Sequence, residues 1–143
     1  MTAHSCYVLR SKKPGSYNSC RAYVGYNKNF LRRLDQHNGL VGGGPIRTAT
    51  GRPWEYVVLV AGFPTELSAK MFEYAWQNPR VRAGAPWVTR RLRREGLWGG
   101  ASMYNQLRVA TEHLPDPPQV WIWRLRVLAI MLNIPEWAAL NLR

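Results

Sequence analysis

Between Pro53 and Pro64 the chain carries the stretch Trp54–Phe63, whose middle reads Val57-Val58-Leu59-Val60-Ala61 without a polar interruption. β-branched side chains lose freedom against a helical turn and pack well on a pleated surface, so this run is expected to form a strand. An apolar run that is continuous rather than alternating suits a central strand covered on both faces. Other elements must then supply those covers. A length of 143 residues leaves room for one domain with its own core, and not for two.

The covers can be read on either side of that run. Cys6-Tyr7-Val8-Leu9 and Ala22-Tyr23-Val24-Gly25-Tyr26 are β-prone, and Lys12-Lys13-Pro14-Gly15-Ser16 breaks between them. They read as an antiparallel hairpin with a loop of about ten residues. Asn27 is placed to cap a following helix, whose apolar face is Phe30, Leu31 and Leu34 and whose stop is His37-Asn38-Gly39. Gly42-Gly43-Gly44-Pro45 opens a loop, expected to be flexible, that runs to Arg52-Pro53. Pro64-Thr65 starts a helix from Glu66 to Asn78, and Pro79 ends it. Arg80–Arg94 is dense in arginine and reads as a basic helix, followed by glycine- and proline-rich sequence to Pro118. Val120–Leu132 reads as a buried helix, and Pro135-Glu136-Trp137 as a short terminal turn. The order β-β-α-β-α-α predicts an α/β (α+β) fold, with a small central mixed or antiparallel three-stranded sheet flanked by helices. Residues 1–143 are expected to form a single domain: a core over about 5–79, a basic insert over about 80–118, and C-terminal helices over 119–143.

Charge narrows the partners. There are 20 Lys and Arg against 8 Asp and Glu, a net charge of +12, and most of the basic residues are arginine. The guanidinium forms bidentate forks with phosphate and stacks on rings, so nucleic acid is the first expectation. A basic protein docking on an acidic protein face is the plainer alternative, and an anionic membrane surface a third. Cys6 and Cys20 make neither a disulfide framework nor a four-ligand zinc site by themselves. The N-terminus shows no basic segment followed by a long apolar core, and Arg124 and Arg126 interrupt Val120–Leu132. A nuclear location, or a cytosolic one, is therefore expected.

Candidate chemistry begins with Arg33 and His37, four apart on one helix face. An arginine there can stabilise the charge that builds on a phosphodiester under attack, and a histidine can relay a proton. A solvated face with a capping histidine is the alternative. Glu73 lies in the aromatic stretch Met71-Phe72-Glu73-Tyr74-Ala75-Trp76, where a carboxylate is costly unless paired. Its partner could be a metal ion, an arginine or water. A single carboxylate leaves most positions on the ion to water and phosphate oxygens, which suits magnesium. Tyr7 and Tyr23 sit on the two hairpin strands, where they could either share a site or simply pack across the pair.

The order of these residues resembles the GIY-YIG nuclease pattern: Ser5-Cys6-Tyr7, then Tyr23-Val24-Gly25, then Arg33 and His37, then Glu73. Within that superfamily the chain looks like the Slx1 group. Leu31–Gly39 resembles its helix with two arginines before a Gln-His-Asn-Gly end, and Arg47-Thr48 with Gly51–Glu55 resembles its loop. Gly62-Phe63-Pro64, Phe72–Pro79, Leu125–Leu128 and Met131-Leu132 match as well, whereas residues between about 80 and 118 do not. The resemblance implies a structure-selective endonuclease, cutting flaps, forks and four-way junctions in DNA repair and recombination. It implies one divalent metal, Mg2+ or Mn2+, on Glu73, with Arg33 at the scissile phosphate. Tyr7, Tyr23 and His37 would surround the attacking water, with Gly25 keeping side chains out of their way. Slx1 proteins carry a RING-type zinc domain that docks on the scaffold Slx4. Its ligands are not among these residues, so the expectation is a truncated chain or a shorter relative, and an Slx4-like partner rests on resemblance alone. Candidates for gripping DNA are Lys28, Arg32, Arg47 and Arg52, with Arg90, Arg91, Arg93 and Arg94 in the insert. Binding that rests on six or more arginine–phosphate contacts should weaken roughly 10³-fold or more between low and moderate salt. Fluorescence anisotropy across a salt series checks this, and a flat profile would contradict it.

Overall fold

In the computed structural model, residues 4–15, 21–44, 46–115 and 120–143 are described. Strands β1 (His4–Ser11), β2 (Ala22–Asn27) and β3 (Trp54–Phe63) form one sheet in the order β2-β1-β3. Both pairings are antiparallel, with Tyr7 opposite Gly25 on β2 and Leu59 on β3. The α/β architecture is the one expected, but β1 takes the centre and β3 an edge. An apolar run reports two covered faces and carries no information about neighbours along the sheet. On β3, Val58 and Val60 belong to one core while Trp54 and Leu59 belong to another. Its outer edge is paired by the C-terminal residue: the Ala61 N–H donates to the Arg143 carbonyl at 2.8 Å, and the Arg143 N–H to that of Ala61 at 2.9 Å.

The sheet separates two unequal cores. Cys6, Val8, Val24 and Val60 join the larger one, with most of the helical residues. Tyr7, Leu9 and Trp54 form the smaller, against Tyr23, Leu34, Tyr56 and Leu59. Helix α1 (Phe30–His37) covers the smaller side. Its cap is Asn29, whose side chain accepts from the Arg32 N–H, and not Asn27. Asn27 is still in β2, where its Oδ1 accepts the Ser5 hydroxyl at 2.9 Å. The side chains of Phe30 and Leu31 lie outside the described residues. The loop expected to be flexible contains a helical turn, α2 (Ile46–Ala49), held by the Trp54 indole N–H donating to the Thr48 carbonyl at 2.7 Å.

Helix α3 (Glu66–Gln77) covers the opposite face. Thr65 and Ser68 close a reciprocal capping box at its start. Helix α4 spans only Pro86–Arg94, shorter than the basic helix read from Arg80. Proline has no N–H and a fixed φ, so Pro86 favours a first helical turn and excludes the middle of one. After a 3-10 turn (Trp98–Gly100) comes α5 (Ala101–Thr111), which the glycines had hidden. Gly100 serves packing here, because a Cβ would overlap the Tyr104 ring. Helices α6 (Val120–Met131) and α7 (Pro135–Ala138) finish the chain. Val88, Leu92, Tyr104 and Leu107 share one core with Val8 and Phe72, so the middle segment is part of the main packing. Among the described residues, no helix is long and apolar enough to cross a membrane.

Trp137 locks the C-terminal helices to α3. It is 1% exposed, and its ring meets that of Phe72 edge-on at 5.2 Å. Trp137→Ala should cost about 3–5 kcal/mol of stability, measurable by urea denaturation. A loss under about 1 kcal/mol would mean the site collapses freely around the gap.

Candidate active site

The pairing of β1 with β2 builds the site's floor. Tyr7 sits opposite Gly25, and Tyr23 lies two residues back on the same sheet face. A Cβ on Gly25 would overlap the Tyr7 hydroxyl and come within 2.9 Å of the Tyr23 ring. The missing side chain lets the Tyr7 phenol lie across β2. Helix α1 brings Arg33 and His37 down one face, one turn apart. Tyr7 Oη and His37 Nε2 are 2.7 Å apart, and Arg33 Nε donates to Tyr7 Oη at 3.4 Å. The Tyr23 and His37 rings are centred 4.8 Å apart, and Tyr56 packs edge-on against Tyr7 at 5.3 Å. Thr48 of α2 completes the group, its Oγ1 lying 2.9 Å from His37 Nδ1.

Burial, with the charges of Arg33 and Arg52 added, lowers the His37 pKa to about 4. The imidazole is therefore neutral at pH 7, with one ring proton. Arg33 donates to the Tyr7 oxygen, and Tyr7 Oη and His37 Nε2 share one proton between them. His37 Nδ1 and Thr48 Oγ1 share a second hydrogen bond on the far side of the ring. Burial also raises the Tyr7 pKa well above its ordinary value, against the opposing pull of Arg33. Tyr7 and His37 are both 0% exposed, whereas Tyr23 and Arg33 keep part of their surface. Solvent thus reaches Tyr23 and Arg33, with Tyr7, His37 and Thr48 behind them.

Glu73 comes from the other side of the sheet and meets the group at the edge formed by β2. Glu66, Lys70, Glu73 and Gln77 form one stripe on α3. The Lys70 ammonium lies 5.8 Å from the Tyr26 ring centre, and Gln77 Nε2 donates to the Val24 carbonyl at 2.8 Å. Glu73 lies between them on the stripe. Burial raises its pKa to about 7, while Lys70 and Arg33 pull it down. Among the described residues, no hydrogen bond or ion pair holds the Glu73 carboxylate. A partly buried, unsatisfied oxygen pair of this kind suits a hard divalent cation. Among the described residues no three His, Cys, Asp or Glu side chains converge, so other oxygens would have to complete the shell.

The expected DNA-gripping residues are dispersed. Lys28 lies 3.9 Å from Glu66, and Arg32 is exposed on α1. Arg52 Nε donates to the His37 carbonyl at 2.7 Å, which ties it to the end of α1. The Arg47 side chain lies outside the described residues. On α4, Arg90 and Arg94 are exposed, Arg91 pairs with Glu95 at 3.5 Å, and Arg93 lies over the Trp98 ring.

The raised Glu73 pKa makes a stability prediction. An acid whose folded pKa exceeds its unfolded value adds no penalty below the unfolded one, and loses stability as pH rises through the folded one. Glu73 spans 4.5 to about 7. At pH 8 and without metal, Glu73→Gln should therefore be more stable than the parent by about 2 kcal/mol, allowing for partial exposure. The difference should vanish below about pH 4.5. Thermal melting across pH checks this, and no gain at pH 8 would mean that the carboxylate has a partner.

The GIY-YIG catalytic domain matches residues 3–83. The structure-specific endonuclease subunit SLX1 of Phaeosphaeria nodorum is 42% identical over 98% of this chain and 37% of its own length. That alignment runs through the middle segment, where the sequence alone showed no resemblance. The human subunit of the same name is 38% identical over 85% of this chain and 36% of its own. The subunit from Aspergillus fumigatus is 46% identical over 79% of this chain and 25% of its own. The chain thus spans between a quarter and two fifths of the length of these relatives. Its match covers more than half of the sequence, including both strands of the tyrosine floor, Arg33, His37 and Glu73, and the chain belongs to the GIY-YIG catalytic domain family.

Proposed function

We propose that this domain is a structure-selective DNA endonuclease, hydrolysing phosphodiesters near branch points during repair and recombination. The observation that carries the reading is the cluster of Tyr7, Tyr23, Arg33 and His37 beside the β2 edge that the Glu73 helix packs against, with the Glu73 carboxylate left without a hydrogen bond or ion pair among the described residues. Arg33 would neutralise charge building on the scissile phosphate. Tyr23 would orient the attacking water. Tyr7 would hold Arg33 from behind, itself fixed by His37 and, through it, Thr48. Glu73 would hold one Mg2+ or Mn2+, which supplies Lewis-acid stabilisation of phosphate oxygens when bound. Cleavage would leave a 5′-phosphate and a 3′-hydroxyl.

The surroundings support the DNA substrate. A net charge of +12 favours a polyanion, and phosphate contacts position a nuclease without reading bases. Shape then selects the cut. The relatives' shared name, structure-specific endonuclease subunit, describes proteins that act on structure and within an assembly. An Slx4-like scaffold as partner and a nuclear location fit that reading.

A panel of flap, fork, four-way-junction and linear duplexes, with matched RNA forks, tests it. Cutting is expected near DNA branch points with Mg2+ or Mn2+ and not with chelator. Arg33→Ala should lower kcat roughly 10²–10³-fold. Mg2+ should raise the melting midpoint of the parent and leave that of Glu73→Gln unchanged. Preference for RNA forks would move the substrate, cutting at one sequence regardless of branching would replace the mode of selection, and full activity of Glu73→Gln would remove the metal site.

A further inference from the structure

Helix α1 is closed by two different parts of the chain. A helix leaves its last four carbonyls without donors of its own. Here those of Leu34, Asp35 and Gln36 accept from the N–H groups of Asn38, Leu40 and Gly39, as Gly39 turns the chain with a φ of +77°. The His37 carbonyl is left over, and Arg52 takes it, with Nε donating at 2.7 Å. The guanidinium lies across Gly39, where a Cβ would come within 2.6 Å of Nη1. A cation in this place also meets the negative end of the helix dipole.

Neighbouring bonds close a circuit around this point. Asn38 Nδ2 donates to the Trp54 carbonyl at 3.0 Å, and the Trp54 N–H donates back to Asn38 Oδ1. The Trp54 indole N–H donates to the Thr48 carbonyl at 2.7 Å, and Thr48 Oγ1 lies 2.9 Å from His37 Nδ1. His37 is thus fixed by its backbone through Arg52 and by its ring through Thr48. Both routes run through residues 48–54, the stretch that leads into β3. Arg52 itself lies at the surface, so shortening its side chain opens no cavity.

Building on the proposed nuclease function, we infer that Arg52 is a positioning residue, and not one of the phosphate contacts that its sequence context suggests. It fixes the end of α1, and with it the place where His37 meets the Tyr7 oxygen that also receives Arg33. Asn38 acts with it, by tying the next residue of the chain to the first of β3. Arg33 lies one turn back from His37 on the same helix, so a displacement of the helix end moves both groups together. A misplacement of about 1 Å is enough to cost roughly 10²-fold in rate.

The test separates positioning from grip. Arg52→Ala should lower kcat on flap DNA roughly 10- to 10²-fold, while KM and the salt slope of binding stay at the parent's values. Arg52→Lys keeps the charge and loses the planar fork, so it should lower kcat as well, again with the parent's salt slope. Independently of activity, NMR should show the ring nitrogen resonances of His37 displaced in both variants. Thermal melting reports whether each variant folds, and if Arg52→Ala does not, Arg52→Lys decides. A phosphate contact would instead raise KM, reduce the salt slope by about one in Arg52→Ala, and leave the His37 ring undisturbed. That pattern, or an unchanged kcat with an undisturbed ring, would overturn the positioning role while leaving the nuclease reading standing. A parent chain that neither binds nor cuts branched DNA would overturn both.

Discussion

The hydrogen bond between Tyr7 and His37 holds this domain's functional side together. It joins the central strand to α1 at 2.7 Å, inside a core where both residues are 0% exposed. A buried hydroxyl or imidazole without a partner is costly, so each residue specifies the other's position. Arg33 leans on the same oxygen, and Thr48 closes the far side of the ring. None of this is possible with a side chain at position 25, because Tyr7 occupies the space it would fill.

The site is divided by exposure. Its rear is neutral and sealed, with His37 kept uncharged and Tyr7 kept protonated by burial. Its front is charged and reachable, with Arg33 and Tyr23 open to solvent and Glu73 strained by partial burial. A carboxylate that would rather be protonated near neutral pH weakens the empty fold and is relieved by a cation. On the proposed function, stability given up at Glu73 would prepare the front for a metal and a phosphate.

Much of this was legible in local sequence. Tyr7, Tyr23, Arg33, His37 and Glu73 are each weak signals by strand alternation and helical spacing, and together with Gly25 they stand out through the order in which they occur, which resembles the GIY-YIG pattern. What escaped depends on distance. The apolar run of β3 announces two covered faces, and only its pairing with β1 and Arg143 shows that it is an edge. Asn27 and Asn29 are equally good caps by composition, and the Ser5 hydroxyl decides between them. Thr48 gains meaning only when α2 folds under His37. Glycines at 96, 99 and 100 look like loop, yet Gly100 is small because Tyr104 lies over it, and α5 starts immediately after. Arg52 reads as a surface cation, and its bond to the His37 carbonyl, 15 residues back, exists only in the folded chain.

The account turns on whether Glu73, carried by a helix on one sheet face, works with Arg33 and Tyr23 from the other. Diffraction from crystals soaked in Mn2+, at the manganese absorption edge, locates the ion directly. An anomalous peak is expected on the Glu73 carboxylate, at the β2 edge beside Gly25 and facing the Arg33 guanidinium. A peak elsewhere, or a Glu73 carboxylate turned away from Arg33 and bound to another protein group, would contradict it.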